Sequence, residues 1–296
     1  MKRFFLTTAF VAIVTGIFYL VFKSKNDLSH EFMPQTLFYA DFNDYEAGKL
    51  SYRQTKKLFN NALILCGKRD YFYYMLGKSR HPLFIQEYTG ISENSHNNRF
   101  LAVLIPENQY GPIIGASWKV PLTDSVDECF LSYRLMFSDD FDFVKGGKLP
   151  GMAGGTANTG GSVPNGEDGF SVRMMFWEDG KLSFYIYHPE QKGTFGDRLF
   201  WKNKHGDTVK CVSGEWHTIT HYIKLNEKNK KNGILNGWLD GELVYSDSAV
   251  MFRTTERLKI DQFLLSVFLG GNDISWASDR DGFICFDNFL VSKGNF

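Results

Sequence analysis

The 296-residue chain balances 33 Lys+Arg against 33 Asp+Glu, so it has no overall attraction for nucleic acid, and any polyanion must be held by a local cluster of cations. Aromatics reach 16%, led by 28 Phe and 14 Tyr, a bias that suits pleated strands better than helices. The length admits one large all-β domain or two smaller ones.

At the amino terminus Lys2 and Arg3 precede an uncharged run over residues 4–22, which Lys23 and Lys25 close. The run is long for a signal-peptide core and approaches the ~20 residues a spanning helix needs, and no small-x-small cleavage site follows it. Residues 1–25 therefore read as an export signal or membrane anchor, with the uncleaved anchor preferred, and residues 26–35 as a linker. The expected location is exported: periplasmic, extracellular, or held at a membrane through residues 4–22. In an oxidising space Cys66, Cys129, Cys211 and Cys285 can form up to two disulfides, and sequence does not choose among three connectivities. There is no CxxC pair and the histidines lack ligand spacing, so no metal or other cofactor is expected.

Strand-like alternation begins at TLFYADF (36–42), and KKLFNNALIL (56–65) is the best candidate for a short helix. Strand patterns recur at RFLAVLIP (99–106), ECFLSYRLMF (128–137), GFSVRMMFW (169–177) and LSFYIYH (182–188). They continue at WHTITHYIKL (216–225), NGWLDGELVY (236–245), LKIDQFLLSVFL (258–269) and GFICFDNFLVS (282–292). The charged stretch NEKNKKNG (226–233) reads as a solvated hairpin loop. Gly, Asp and Asn turns separate these runs, and no repeat or long linker interrupts residues 36–296. The fold class expected is all-β: a jelly-roll sandwich of two curved antiparallel sheets with a concave cleft.

One hairpin can be paired by hand. In GFSVRMMFWEDGKLSFYIYHP, a two-residue Asp179–Gly180 turn would put Arg173 on the apolar face of the partner strand. A three-residue loop over residues 178–180, with Gly180 left-handed, matches the faces instead. Val172, Met174 and Phe176 then oppose Ile186, Phe184 and Leu182, while Ser171 opposes Tyr187 and Arg173 opposes Tyr185. The result is a polar patch on one face. Tyr–Arg pairs across strands also serve plain packing. Just upstream, KGGKLPGMAGG (145–155) concentrates five glycines around Lys145 and Lys148, which is read as backbone bending beside a cleft.

GGKLPGM (146–152), FSVRMMFW (170–177) and FYIYHP (184–189) together resemble polysaccharide lyase family 14, the group of alginate and glucuronan lyases. RFLAVLIPENQYGPIIGASWKVPL (99–122) resembles its earlier strands and the closing FICFDNFLVS its last strand, so the likeness spans about residues 36–296. The resemblance implies a jelly roll that cleaves 4-linked uronic-acid polymers by β-elimination. It implies that Lys148, Ser171, Arg173, Tyr185 and Tyr187 line the catalytic cleft. Some members use a histidine shortly before the S-x-R pair; here none lies between His96 and His188, and Asn165 is the polar residue nearby.

Elimination removes the C5 proton of a uronate and expels the C4 oxygen, so a cation is needed against the neighbouring carboxylate. Lys148 and Arg173 are the candidates, Lys148 the more critical by the resemblance. Tyr185 or Tyr187 serves as base, acid or both, its phenolate favoured by the adjacent cations, and Ser171 positions the sugar. Lys145, Asn165, His188 and Arg198 are the outer substrate-binding candidates, although Lys145 reads first as a solvated loop charge and His188 as a rim position. Lys192 and Trp201, in the loop with Arg198, are further candidates for outer subsites, where an aromatic stacks on a sugar face. The partner expected is an acidic polysaccharide, with no nucleic acid, a membrane contact only through the amino-terminal segment, and a monomeric state. The rival from another class is a non-catalytic glycan-binding jelly roll. A glycoside hydrolase would want paired carboxylates, for which no strand motif is present.

Overall fold

The computed structural model describes residues 35–60, 62–64, 83–88, 99–112 and 115–294. The amino-terminal segment read as an export signal or anchor, and Cys66, lie outside these residues. Among the described residues no helix is long and apolar enough to cross a membrane.

The strands, in chain order, begin with β1 (Gln35–Ala40), β2 (Gly48–Lys49), β3 (Leu63–Ile64), β4 (Leu83–Glu87) and β5 (Arg99–Ile105). Next come β6 (Ala116–Val126), β7 (Glu128–Phe137), β8 (Gly147–Gly155), β9 (Gly169–Phe176), β10 (Leu182–Tyr187) and β11 (Asp197–Phe200). The last are β12 (His217–Lys224), β13 (Gly233–Leu239), β14 (Glu242–Val250), β15 (Ile260–Leu269) and β16 (Gly282–Lys293). One sheet runs β14-β13-β12-β7-β16-β5-β4-β2, with β1 also on β16, and the other runs β11-β10-β9-β8-β15-β6-β3. The pairings among β2 to β16 are antiparallel. This is the two-sheet sandwich expected from the turn-punctuated runs.

The helix sits earlier than its pattern suggests. Helix α1 is Tyr52–Leu58, started by a capping box in which the Ser51 side chain and Gln54 satisfy each other's backbone amides. That local signal outweighs the apolar run after it, part of which joins the second sheet as β3. NGWLDGELVY is not one strand but two, β13 and β14, with Asp240 and Gly241 at φ 51° and 83° in the turn.

Aromatic side chains of the two sheets meet in the core. Phe137 of β7 lies 5.0 Å from Phe176 of β9, and Phe263 of β15 lies 5.2 Å from Phe289 of β16. Trp201, offered above as a subsite residue, belongs to this core: it is fully buried and packs edge-on against Phe184 at 5.0 Å. Cys129, Cys211 and Cys285 are buried free thiols rather than disulfide partners. Cys129 points into the core, whereas Cys285, on the adjacent β16, packs on the outer face of that sheet with Phe100 and Ala102, so the two cannot join.

His221 of β12 is fully buried among Tyr133, Phe184 and Trp201, and neither ring nitrogen has a hydrogen-bond partner among the described residues. Burial pushes its pKa down from 6.5 to about 3. The unfolded chain therefore binds the extra proton across that window. Stability is fully present above the upper value and is lost as pH falls toward the lower one. The expected slope from this residue is at most about 1.4 kcal/mol per pH unit. Denaturant titrations of the wild type and His221→Phe across the window should show the slope flattened in the variant; equal slopes would refute the assignment.

Candidate active site

The glycine-rich stretch is a strand, not a bend. β8 lies in the interior of its sheet between β9 and β15. Pro150, which cannot donate to a ladder, sits where the register slips between Leu149 and Gly151, a place that tolerates proline. At Gly151 a Cβ would fall 2.0 Å from the Val172 carbonyl oxygen and 2.5 Å from the Arg173 Cα. The glycines thus serve close approach of neighbouring strands.

The β9–β10 hairpin has the register derived from the sequence: Ser171↔Tyr187, Val172↔Ile186, Arg173↔Tyr185, Met174↔Phe184 and Phe176↔Leu182. Its loop spans residues 178–180, closed by the Trp177 N–H on the Lys181 carbonyl at 2.8 Å, and Gly180 is left-handed at φ 73°. Asp179 is left-handed as well, at φ 60°. Val172, Met174, Phe176, Phe184 and Ile186 enter the core. The alternate residues face away from it, and directly opposed residues share a face. On β8 Gly151 opposes Arg173 and Lys148 opposes Met175; on β11 Arg198 opposes Tyr185. Lys148, Arg173, Tyr185 and Arg198 are thereby gathered over four adjacent strands.

The Lys148 ammonium lies 4.3 Å above the centre of the Tyr185 ring and 3.0 Å from the Met175 sulfur. The Arg173 guanidinium carbon lies 5.6 Å from the Tyr185 ring and 5.9 Å from the Tyr187 ring, and the two rings meet edge to face at 5.6 Å. Arg173 is 5% exposed and donates to the Ser266 hydroxyl of β15 at 3.3 Å, while its buried Nε has no partner among the described residues. To reach β15 the side chain must cross β8, and Gly151, lacking a side chain, leaves that path open. Among the described residues, Lys148, Arg173 and Arg198 form no ion pair with a carboxylate.

Ser171 and Tyr187 lie at the other end of the hairpin, closed from solvent. Ser171 donates to the Asn158 carbonyl at 2.6 Å, and the Tyr187 hydroxyl accepts from the Gly161 N–H at 3.2 Å. Both anchor the loop after β8. The outer candidates are scattered. Lys145 is exposed and donates to the Ser275 hydroxyl at 2.6 Å. Asn165 is exposed, and its side-chain oxygen accepts from the Glu167 and Asp168 amides within its own loop. His188 pairs with Asp197 at 3.0 Å, its Nδ1 buried without a partner among the described residues. Lys192 is an exposed loop residue. Of the outer set, Arg198 alone shares a strand-to-strand pairing with a patch residue.

Burial sets the electrostatics. It holds Lys148 well below the ordinary lysine range, with the charges of Arg173 and Arg198 adding to the effect. It pulls Arg173 down to about 10, partly opposed by Tyr187 and Tyr185. It also raises Tyr185 well above the ordinary phenol value, helped by Tyr187 and opposed by Arg173 and Arg198. At Tyr185 the adjacent cations do favour the phenolate, but desolvation outweighs them.

Sequence reading missed Ser266, Met175 and Trp177. Ser266 breaks an apolar strand, LLSVF, which is a usable signal, but its face is known only once β15 is placed beside β8. Among the described residues no grouping of three His, Cys, Asp or Glu side chains is arranged to hold a metal ion.

A family model for polysaccharide lyase 14 matches residues 93–289, about two thirds of the chain. The chain belongs to polysaccharide lyase family 14. Among solved structures this lyase is similar to the alginate lyase Aly36B, at 23% identity over 88% of this chain and 98% of that one, with a TM-score of 0.68. It is similar to the PL-14 alginate lyase of Aplysia kurodai at 24% identity over 79% and 98%, with a TM-score of 0.59. The alginate lyase vAL-1 from Chlorella virus gives 20% identity over 74% and 96%, with a TM-score of 0.57. At these identities the likeness is one of fold, a jelly roll shared over nearly the whole length of each relative. No curated protein matches the lyase.

Proposed function

We propose that the lyase cleaves 4-linked poly-uronates of the alginate class by β-elimination at the face shared by β8, β9 and β10. The observation that carries this reading is that Arg173 and Arg198 lack carboxylate partners among the described residues, above all the buried Arg173 with its unbonded Nε. A buried guanidinium without an anion is costly, and a uronate carboxylate would supply both the charge and the missing acceptor. The same arginines speak against a glycosidase, which needs two carboxylates at the bond to be cut. An Aly36B structure carries an alginate tetrasaccharide, which supports the substrate class.

The pKa directions divide the labour. Arg173 holds the substrate carboxylate and stabilises the enolate-like charge that develops beside it. Lys148, weakened as an acid-holding ammonium, is the group more readily found unprotonated, and it takes the C5 proton. The C5–H electron pair forms the C4=C5 double bond as the C4–O bond breaks. Tyr185, kept protonated, delivers its proton to the departing oxygen. Lys148, poised above the Tyr185 ring, then returns a proton to it. Ser171 and Tyr187 keep the β8–β9 loop in place at the end of the cleft. In a second reading, Lys148 only neutralises the carboxylate and Tyr187 is the base, for which the Gly161 N–H donated to its hydroxyl speaks, since a donor at that oxygen favours the phenolate.

A polymer of this kind is too large to cross a membrane, which accords with an exported enzyme. The test is to incubate the full chain with alginate and glucuronan and follow unsaturated ends by ultraviolet absorbance and reducing ends by assay. Both should rise together. New reducing ends without unsaturation would mean hydrolysis, and binding with neither would mean a lectin.

A further inference from the structure

We propose that Trp177 and Arg198 form a second carboxylate subsite beside the elimination centre, one that takes a neighbouring uronate of the same chain. The proposal rests on the poly-uronate reading above and extends it from one sugar to the groove. Trp177 follows β9 on the parity of Arg173 and Met175, so it continues their face. Its indole N–H donates to the Ser183 hydroxyl at 2.9 Å, and its ring packs against Phe200 at 5.7 Å. Held on both sides, the indole offers a fixed surface, and the Arg198 guanidinium carbon stacks 4.6 Å from it.

Arg198 therefore has its orientation set while its hydrogen-bond donors stay unused: among the described residues the guanidinium has no carboxylate or other acceptor. Stacking on an aromatic face leaves the edge of the guanidinium, which carries all five N–H groups, free for a bidentate carboxylate. A cation stacked in this way keeps its orientation without an ion-pair partner that a substrate would have to displace.

The spacing suits a polymer. Arg173, Tyr185 and Arg198 oppose one another across β9, β10 and β11. The two arginine backbones are thus two strand spacings apart, about 10 Å, a span on the scale of one or two linked pyranose rings. A 4-linked poly-uronate repeats its carboxylate along that line; a neutral glucan does not. Arg198 thus selects for a run of uronates and for chain length rather than for the chemistry at one ring.

The experiment measures kcat and KM for size-defined alginate oligomers with the full-length wild type, Arg198→Gln, Arg198→Lys and Trp177→Leu, following unsaturated product. Arg198→Gln should raise KM about tenfold on long oligomers, with a much smaller change in kcat, and the increase should shrink toward the shortest oligomer cleaved. Arg198→Lys should retain part of the affinity, and Trp177→Leu should lose affinity because the guanidinium is no longer oriented. Arg198→Gln should also weaken the salt dependence of KM, a readout that a purely structural role for this exposed residue would leave alone. A KM unchanged at every length, or a loss equal at every length and shared by kcat, would overturn the subsite while leaving the lyase reading intact. No unsaturated product from the wild type on any poly-uronate would overturn both.

Discussion

Lys148→Arg should reduce kcat for elimination by about 10²–10⁴, the usual loss when a positioned proton-transfer group is removed. Arginine keeps the positive charge and reaches as far, so it would still neutralise a carboxylate. What it cannot do is give up its proton near neutral pH. Lys148 can, because burial first, and the charges of Arg173 and Arg198 second, hold it well below the ordinary lysine range. The pH profile follows from the same direction. As pH rises through the lowered Lys148 value, the neutral amine accumulates and the rate climbs, so the acidic limb of the profile should lie below where an ordinary lysine titrates. Lys148→Ala should show the same loss, and small primary amines added to the solution should restore part of the rate. Should Lys148→Arg retain most of the activity, the lysine is a carboxylate clamp, and the proton must go elsewhere, with Tyr187 next in line.

Arg173→Met should separate activity from stability in opposite directions. Arg173 is 5% exposed, has no carboxylate partner among the described residues and leaves Nε unbonded. Methionine is close in length, and it already appears twice beside this position, at Met174 and Met175. Replacing a poorly compensated buried charge with an apolar side chain of similar shape is commonly neutral or stabilising, here by roughly 1–3 kcal/mol after loss of the Ser266 hydrogen bond. The melting temperature should therefore rise by a few degrees. Elimination should fall by about 10²–10³, because the developing charge beside the carboxylate loses its preorganised partner. Thermal melts and initial rates on the same preparations decide it. A melting temperature well below wild type would mean that the guanidinium supports the fold, and the unpaired cation could no longer be read as held ready for substrate.

Both predictions involve residues visible in the sequence, yet their roles were legible to different depths. The β9–β10 register could be written down beforehand because it depends on two local facts. Side chains alternate with period two, and a three-residue loop with a left-handed Gly180 brings like faces together. The outer boundaries of β5, β7 and β16 were equally plain, since long runs of Phe, Leu and Val bounded by polar turns have few other uses. β8 was not plain. Its glycines and Pro150 argue against a central strand when read alone, and only the close backbones of β9 and β15 explain them. Trp201 misled for a related reason: an aromatic in a charged loop resembles a sugar platform until the chain folds it under Phe184.

The amino-acid sequence by itself determined the fold class and the hairpin that opposes Arg173 to Tyr185, and it named the five residues from which the catalytic proposal draws, because these follow from periodicity, turn chemistry and a family pattern. Tertiary structure alone decided that β8 lies beside β9, so that Lys148 stands over Tyr185 and Arg173 passes Gly151 to Ser266. It also decided the ionisation of these groups. Desolvation depends on everything packed around a side chain, much of it from distant parts of the chain; here it holds Tyr185 above the ordinary phenol range and Lys148 below the ordinary lysine range, and on those directions the proposal takes the tyrosine as acid and the lysine as base.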